Sequence, residues 1–287
     1  MSYIAYAWLT PIFYGIGSIA AKLSSKYQVP NQWLFYFIWT VITLLCIAPL
    51  ALINHVGWPQ DWGSIVILGL TGAVSGTLYI LSLKALDVSV LSPFYSFRTP
   101  MVAILGVILF GEILTTMQII FIGLIFFAGL FVSVDERMSI RSFFRPEIGL
   151  AFVTIISSAL FNTAVKNASL HNSFWSVTFW STLLTLIFIL PTLPLFYREL
   201  VTTRVSRYQG IFWSTILLTL GLLTSYKALG QNVSISIAIM TLPLSMVFSF
   251  IISRIAPKLL EKHTGKVYAV RFAAAAVMFL AALGLSR

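Results

Sequence analysis

The chain has 287 residues, of which 59% are hydrophobic and 9% charged, with a net charge of +10 and a mean hydropathy of +0.96. Soluble domains carry about 25% charged residues, so this composition excludes a water-soluble globular protein. The apolar runs repeatedly reach the roughly 20 residues that a membrane-spanning helix needs, and they lack the alternation of barrel strands. We therefore predict an all-α integral membrane protein.

Ten membrane-spanning helices are predicted, joined by connections that contain helix breakers such as glycine and proline. The first begins without a basic region and a small-residue cleavage site, which favours a retained helix over a signal peptide. In chain order the predicted spans cover residues 3–24, 32–53, 63–83, 88–110, 114–134, 147–167, 173–196, 208–229, 233–253 and 265–285.

The basic residues are unevenly divided between the two faces of this predicted bundle. Thirteen lysines and arginines fall on the face with the loops 135–146, 197–207 and 254–264, and three fall on the face with the N-terminus. Because Lys and Arg accumulate in cytoplasmic loops, we expect these three loops to be cytoplasmic and to meet anionic membrane lipids. No aromatic-basic surface accompanies them, which argues against a nucleic-acid partner. The short termini favour a multi-pass protein of a prokaryotic plasma (inner) membrane.

Residue types that support catalysis or metal binding are sparse. Cys46 is the single cysteine, and His55, His171 and His263 fall in separate loops without the spacing of metal ligands. The sequence shows no paired embedded acids and no nucleophile beside a base. We therefore expect no enzyme activity, no cofactor and no metal.

The chain also contains an internal repeat. "SLKAL" at 82–86 returns as "SYKAL" at 225–229, and the same offset of 143 carries Pro100 onto Pro243. Five spans in each half would make the second half enter the membrane from the opposite face. Such inverted repeats are typical of alternating-access transporters, in which the substrate lies near the midplane between the halves.

Residues 84–134 carry a recognisable set of features. These are Lys84-Ala85 at the end of span three, Pro100 in span four, Gly111-Glu112, the turn "LTTMQ", and a span five with spaced glycines at Gly123 and Gly129. This pattern resembles the closing half of a repeat of the EamA family, in the drug/metabolite transporter superfamily.

The resemblance implies a fold of five plus five helices. Residues 1–134 would form the first EamA-like repeat, 135–146 a connecting loop, and 147–287 the second, inverted repeat. It also implies a central cavity lined mainly by spans 1, 3, 4, 6, 8 and 9, with spans five and ten at the back. Family members place both termini in the cytoplasm, whereas the charge bias places them outside, so the absolute orientation stays open.

The second half departs from the family pattern at one position. Ile255 stands where the repeat would place Glu112. Glu112 itself lies at the end of span four, where we expect it to cap the start of span five.

Arg98 lies ten residues into the predicted fourth span, near the bilayer centre. Charged residues at this depth are costly and usually face the bundle interior or a wet cavity. The eight acidic residues all fall in loops or at span ends. An arginine without an acidic partner can hold a carboxylate or phosphate through two parallel hydrogen bonds. The alternatives are that it binds carbonyl groups freed by Pro93 and Pro100, or that its depth is misjudged.

Several further residues are candidates for substrate binding or movement. Lys166 and Lys227 belong to the face that is poor in cations and could gather an anion there, or could instead extend towards the lipid headgroups. Tyr95 precedes Arg98 by one turn, and Thr241 is the repeat partner of Arg98. The candidate substrate-binding residues are Arg98, Tyr95, Thr241, Tyr79, Tyr226, Lys166 and Lys227, and the candidate hinge residues are Pro100 and Pro243.

Together these features predict a secondary transporter that moves a small metabolite by alternating access and favours an anionic or zwitterionic solute near Arg98. Two alternatives stay open, namely an amino-acid or drug exporter with an uncharged or cationic substrate, and a flippase for a lipid-linked carrier. No carboxylate or histidine relay is visible inside the spans, so we expect exchange or facilitated movement. The protein could act as a monomer or a homodimer.

Overall fold

The computed structural model describes residues 2–85, 95–132, 146–255 and 265–286, and every regular element in these ranges is helical. The all-α prediction is therefore confirmed. The helices are α1 Tyr3–Tyr27, α2 Gln32–Ile53, α3 Trp62–Ala85, α4 Arg98–Phe110, α5 Thr116–Val132, α6 Pro146–His171, α7 Phe174–Ile189, α8 Tyr197–Thr202, α9 Gln209–Leu229, α10 Val233–Met240, α11 Leu244–Ile255 and α12 Gly265–Leu285, with 3-10 turns at Tyr95–Phe97, Leu190–Leu195 and Val205–Tyr208.

Eight segments of the described chain are long and apolar enough to cross a membrane, which confirms a multi-pass membrane protein. Two shorter apolar helices, Arg98–Phe110 and Thr116–Gly129, lie where spans four and five are predicted. Because those predicted spans continue into residues outside the described ranges, ten spans stay a prediction. The eight segments are Tyr3–Tyr27, Gln32–Ile53, Trp62–Ser82, Gly149–His171, Phe174–Leu195, Val205–Leu229, Val233–Ser253 and Val267–Leu285.

Of the three predicted basic loops, only the one at 197–207 is described in full. It forms the short helix α8 and leads into the 3-10 turn Val205–Tyr208. Residues 135–145, which hold the predicted boundary between the halves, and residues 256–264 lie outside the described part of the chain.

Polar caps and a glycine set several helix boundaries. The Asn31 side chain accepts hydrogen bonds from the backbone N–H groups of Trp33 and Leu34, which starts α2. Ser173 accepts from the N–H of Ser176 and starts α7 in the same way. Gly111 has a φ of 63°, a left-handed conformation that glycine adopts readily, and it ends α4.

The predicted ninth span is broken in the middle. Thr241, Leu242 and Pro243 separate α10 from α11, because proline lacks an N–H and disfavours helical geometry in the residue before it. Pro100, its repeat partner, instead lies in the first turn of α4, where proline is tolerated. The two predicted hinge prolines therefore have different local settings, and their role in movement stays a prediction.

The packing of the helices is nearly symmetric under exchange of the two halves. Along α1 lies α9, and along α6, the repeat equivalent of α1, lies α3, the equivalent of α9. Contacts between α3 and α7 are likewise matched by contacts between α9 and α2. The pairs α2–α7 and α5–α12 each join equivalent helices, and α4 and α10 belong to the equivalent predicted spans four and nine. A pseudo-twofold relation between the halves would produce this pattern of contacts.

The two halves also meet at a cluster of tryptophans beside the loop between α2 and α3. The Trp58 ring, in the loop between α2 and α3, stacks on Trp180 of α7 with centroids 4.9 Å apart and an interplanar angle of 21°. Trp180 donates its indole N–H to the carbonyl oxygen of Gly57 at 3.0 Å. Asn172 accepts from the N–H of Gln60 at 2.8 Å. A loop of the first half is thus fastened to the second half.

Candidate functional site

A cavity of about 270 Å³ lies between the two halves of the chain. It is lined by residues of α1, α2, α3, α6, α7 and α9, by the start of α4, and by the break between α10 and α11. Among the described residues, α5 and α12 contribute none, as the resemblance implies. The resemblance did not imply the contributions of α2 and α7, which include Trp39 and Thr182.

Arg98 is in this cavity, at the N-terminal end of α4. Its Nη1 donates to the hydroxyl of Ser158 at 2.9 Å, and its guanidinium carbon lies 5.0 Å from the centre of the Tyr95 ring. Its Nε is buried, and no described residue accepts a hydrogen bond from it. Among the described residues, neither a carboxylate nor a backbone carbonyl partners the guanidinium.

The remaining lining is rich in hydroxyl groups and, among the described residues, lacks carboxylates. Thr99 donates to the Thr241 hydroxyl at 3.1 Å, so the repeat partner of Arg98 lies beside the start of α4. Tyr36 donates to the carbonyl oxygen of Gly72 at 2.9 Å. A Cβ at Gly76 would overlap the Tyr36 ring, so glycine is required there for this close approach. Among the described lining residues, Arg98 is therefore the one side chain with a full charge at neutral pH.

Aromatic rings form a continuous wall that ends at the guanidinium. The ring centroids of Tyr36 and Trp39 are 5.7 Å apart, those of Trp39 and Tyr79 are 6.1 Å apart, and those of Tyr79 and Tyr95 are 6.2 Å apart. All three contacts are edge-to-face, a favourable arrangement for aromatic pairs. The wall gives the cavity a fixed shape on one side of Arg98.

The structure brings together five of the seven predicted substrate-binding residues. Arg98, Tyr95, Thr241, Tyr79 and Tyr226 all line the cavity, although they come from different helices. Whether they touch a substrate stays a prediction.

The two predicted lysines lie away from this cavity lining. Lys166 is only 8% exposed and donates to the carbonyl oxygens of Gly230 at 3.1 Å and Gln231 at 2.7 Å. Lys227 is exposed, and its Nζ lies 3.9 Å from the centre of the Phe174 ring. Lys166 therefore fixes a turn of the backbone, and Lys227 makes a cation–π contact.

Three residues were missed by the sequence reasoning. Ser158 receives the Arg98 hydrogen bond, and Asn162, one turn later on α6, donates to the Ser158 carbonyl oxygen at 2.7 Å and lines the cavity. Their spacing of four residues in an apolar helix was the available signal. Arg271 is fully buried on α12. With Arg98 it is one of two arginines placed within the predicted spans rather than at their ends.

We expected Glu112 to cap α5, but it caps the N-terminus of α10 instead. Its carboxylate accepts from the backbone N–H of Val233 at 2.7 Å and of Ser234 at 3.0 Å, and from the Ser234 hydroxyl at 2.5 Å. The reason is geometric, since α4 packs against α10 and the glycine at 111 turns the chain towards it. An acid of the first half thus stabilises a helix of the second.

Comparisons with known proteins agree with this architecture. The model of the EamA-like transporter family matches residues 1–134, whereas no curated protein sequence matches significantly. Among solved structures, 28 chains match. One crystal structure of a protein aligns over 98% of this chain and 98% of its own length, with a TM-score of 0.67 and 16% identity, which shows a shared fold. Residues 1–134 therefore belong to the EamA-like transporter family, as their motifs predicted, and the family match indicates a membrane transporter of small solutes.

Proposed function

We propose that the protein is a secondary transporter that carries a small anionic or zwitterionic solute across the membrane by alternating access. The observation that carries this proposal is the guanidinium of Arg98 in a cavity between the two halves, without an acidic partner among the described residues. A buried charge without a counter-charge is costly, and an anionic solute would supply the missing partner.

The hydrogen bonds of Arg98 leave room for such a solute. A guanidinium has five N–H donors, and the described contacts use one of them, to Ser158. Tyr95 supports the guanidinium from its ring face without accepting a hydrogen bond. Arg98 is thereby oriented while most of its donors stay available for a carboxylate or phosphate.

The break between α10 and α11 adds a second source of positive potential to the cavity. Leu242 and Ser245, on either side of the N-terminal end of α11, both line the cavity. The N-terminus of a helix carries partial positive charge, and transporters with broken helices direct such ends at anionic groups of their substrates. The helix end and Arg98 would therefore act on one anion together.

Alternating access is supported by the exchange symmetry of the helix contacts. If the two halves are inverted repeats of five spans each, the contacts of one half can be exchanged for those of the other, opening the cavity to opposite faces in turn. In this proposal the loops at 135–146, 197–207 and 254–264 are cytoplasmic, and the membrane is the plasma (inner) membrane.

A second candidate is an exporter of an uncharged or cationic organic compound. The wall formed by Tyr36, Trp39, Tyr79 and Tyr95 favours it, because ring faces attract cations and planar groups. In that case the solute would contact the wall and Arg98 would serve only to hold α4 against Ser158.

Thermal unfolding of the detergent-purified protein distinguishes the two. Amino acids, organic acids, sugar phosphates, nucleotides and organic cations are each added to the wild type and to Arg98→Gln. A ligand at 100 times its dissociation constant stabilises the folded protein by about 2.7 kcal/mol. We expect anions to raise the melting temperature of the wild type but not of Arg98→Gln.

The matched control is Arg204→Gln, which removes an exposed arginine outside the cavity. It should respond to anions as the wild type does. Equal stabilisation of wild type and Arg98→Gln by cations or neutral compounds, without any response to anions, would overturn the proposal in favour of the second candidate.

A further inference from the structure

The turn before α10 and the start of α10 are held by two charged side chains from separate segments of the chain. Glu112, between α4 and α5, accepts three hydrogen bonds from Val233 and Ser234, the first two residues of α10. Lys166, five residues before the end of α6, donates to the carbonyl oxygens of Gly230 and Gln231. Asn232 accepts from the N–H of Ile235 at 2.8 Å. The first three N–H groups of α10 are therefore all satisfied by side chains.

The Glu112 carboxylate can approach α10 because the neighbouring residue of α4, Gly106, has no side chain. Gly106 of α4 lies directly beneath it, and a Cβ there would lie 2.8 Å from Glu112 Oε2 and even closer to the hydroxyl of Ser234. A glycine in the middle of a helix is unfavourable by itself. Its presence here leaves space for the carboxylate to reach α10.

Helix α10 connects this fastened turn with the cavity. All eight of its residues are buried, and a helix of this length is about 12 Å long. Its last residue, Met240, and the following Thr241 line the cavity, where the Thr99 hydroxyl donates to Thr241. One end of α10 is thus held by Glu112, and the other end lies beside Arg98.

We propose that α10 is the gate between the cavity and the face of the membrane at which α1 begins, and that Glu112 is the positioning residue that holds this gate shut. Because successive spans alternate in direction, the end of α4, and with it Glu112, lies at that face. When the carboxylate releases Val233 and Ser234, α10 moves away from α4 and the cavity opens. This inference rests on the proposed alternating access.

The repeat position of Glu112 is Ile255, a residue type without a side-chain hydrogen-bond acceptor. This position therefore cannot supply the same contact at the opposite face. Glu112 would bias the unloaded transporter towards the state that is shut at the face where α1 begins.

Cysteine accessibility tests this directly. Cys46→Ser removes the single native thiol, and Ser236→Cys places a new one in the middle of α10, where the serine is fully buried and donates to the Ala228 carbonyl oxygen at 3.0 Å. A membrane-impermeant methanethiosulfonate reagent is then added to one face at a time. Glu112→Gln removes the charge at constant size. We expect it to raise the rate at which Ser236→Cys is modified from the face where α1 begins at least tenfold.

Two further variants, each made in the same cysteine background, complete the test. Ser234→Ala removes only the hydroxyl donor and should raise the same rate by a smaller factor, even if Glu112→Gln does not fold. Glu199→Gln removes an exposed acid on α8 and should leave the rate unchanged. An unchanged rate in folded Glu112→Gln, or in Ser234→Ala when Glu112→Gln cannot be purified, would overturn the gate.

The outcome is separable from that of the proposed function. Anion stabilisation that depends on Arg98, together with an unresponsive Ser236→Cys, overturns the role of Glu112 alone. A responsive Ser236→Cys in a protein that no anion stabilises supports the gate and overturns the anionic substrate.

Discussion

Arg98 and Thr241 occupy the same position of the internal repeat and face the same cavity, but they differ in charge. Arg98 starts α4 and contacts Ser158 and Tyr95, whereas Thr241 lies in the break of the ninth predicted span and accepts from Thr99. The two halves thus surround the cavity with similarly packed helices, while the difference between arginine and threonine at one repeat position makes the cavity electrostatically asymmetric.

The largest expected effect is a loss of anion affinity when Arg98, the charged member of this pair, is replaced. Removing one partner of a buried, hydrogen-bonded charge pair costs about 2–5 kcal/mol, so Arg98→Gln should weaken the binding of a stabilising anion by at least about 30-fold. Thr241→Val should weaken it only a few-fold, since a neutral hydrogen bond is worth about 1 kcal/mol. Titration calorimetry on both variants measures the two losses, and equal losses would contradict the comparison.

The next effect concerns the two lysines of the cation-poor face. Lys166→Met leaves the carbonyl groups of Gly230 and Gln231 without their donor and should lower the free energy of unfolding by about 1–3 kcal/mol. Lys227→Met loses an exposed cation–π contact and should cost at most about 1 kcal/mol. Denaturant unfolding in detergent ranks the variants, and a reversed order would refute the structural role of Lys166.

A smaller effect is expected at Tyr95, which has no aromatic counterpart, since the corresponding residue of the second half is Ala238. Tyr95→Leu removes the ring beneath the guanidinium, a contact worth about 0.5–2 kcal/mol, and should weaken anion binding by about two- to thirty-fold. Tyr95→Phe keeps the ring and serves as the control. If both variants bind equally weakly, the hydroxyl and not the ring face is what matters.

The smallest effect is expected at Asp61, whose repeat position holds the oppositely charged Arg204. The hydroxyl and backbone N–H of Ser64 lower the pKa of Asp61, which precedes α3. A depressed pKa means that the ionised form stabilises the folded state above the unfolded pKa of about 3.9 and that this stability is lost as the pH falls through the lower folded value. Asp61→Asn should therefore melt slightly below the wild type at pH 7, with the gap closing below pH 4. A gap that persists in acid would exclude ionisation as its cause.

The membrane fold was predictable from local patterns. Long apolar runs, the caps at Asn31 and Ser173, and Gly111 after α4 act within one helix, so the sequence carries them directly. Pro243 is as visible in the sequence as Pro100, but proline breaks a helix only where its N–H would have been used. The different settings of these two repeat partners could therefore not be distinguished from spacing alone.

The site was predictable only in part. Arg98 stood out because charge is rare inside a span, and the offset of 143 led from it to Thr241. The partners Ser158 and Asn162 are ordinary polar residues of an apolar helix, and nothing local shows that they face Arg98. Glu112 and Lys166 are both visible in the sequence as charged residues of an apolar chain, but their hydrogen-bond partners lie in distant segments, at the start of α10 and in the turn before it. Such long-range pairings depend on how the halves pack.

The stack of Trp58 on Trp180 gives the molecule a built-in optical signal. Two indole rings 4.9 Å apart are close enough for their strong far-ultraviolet transitions to couple, and we expect a paired band from them in the far-ultraviolet circular dichroism spectrum. One ring belongs to the loop before α3 and the other to α7, so the band depends on the distance between the halves at that face. Separation of the halves can thus be followed without any label.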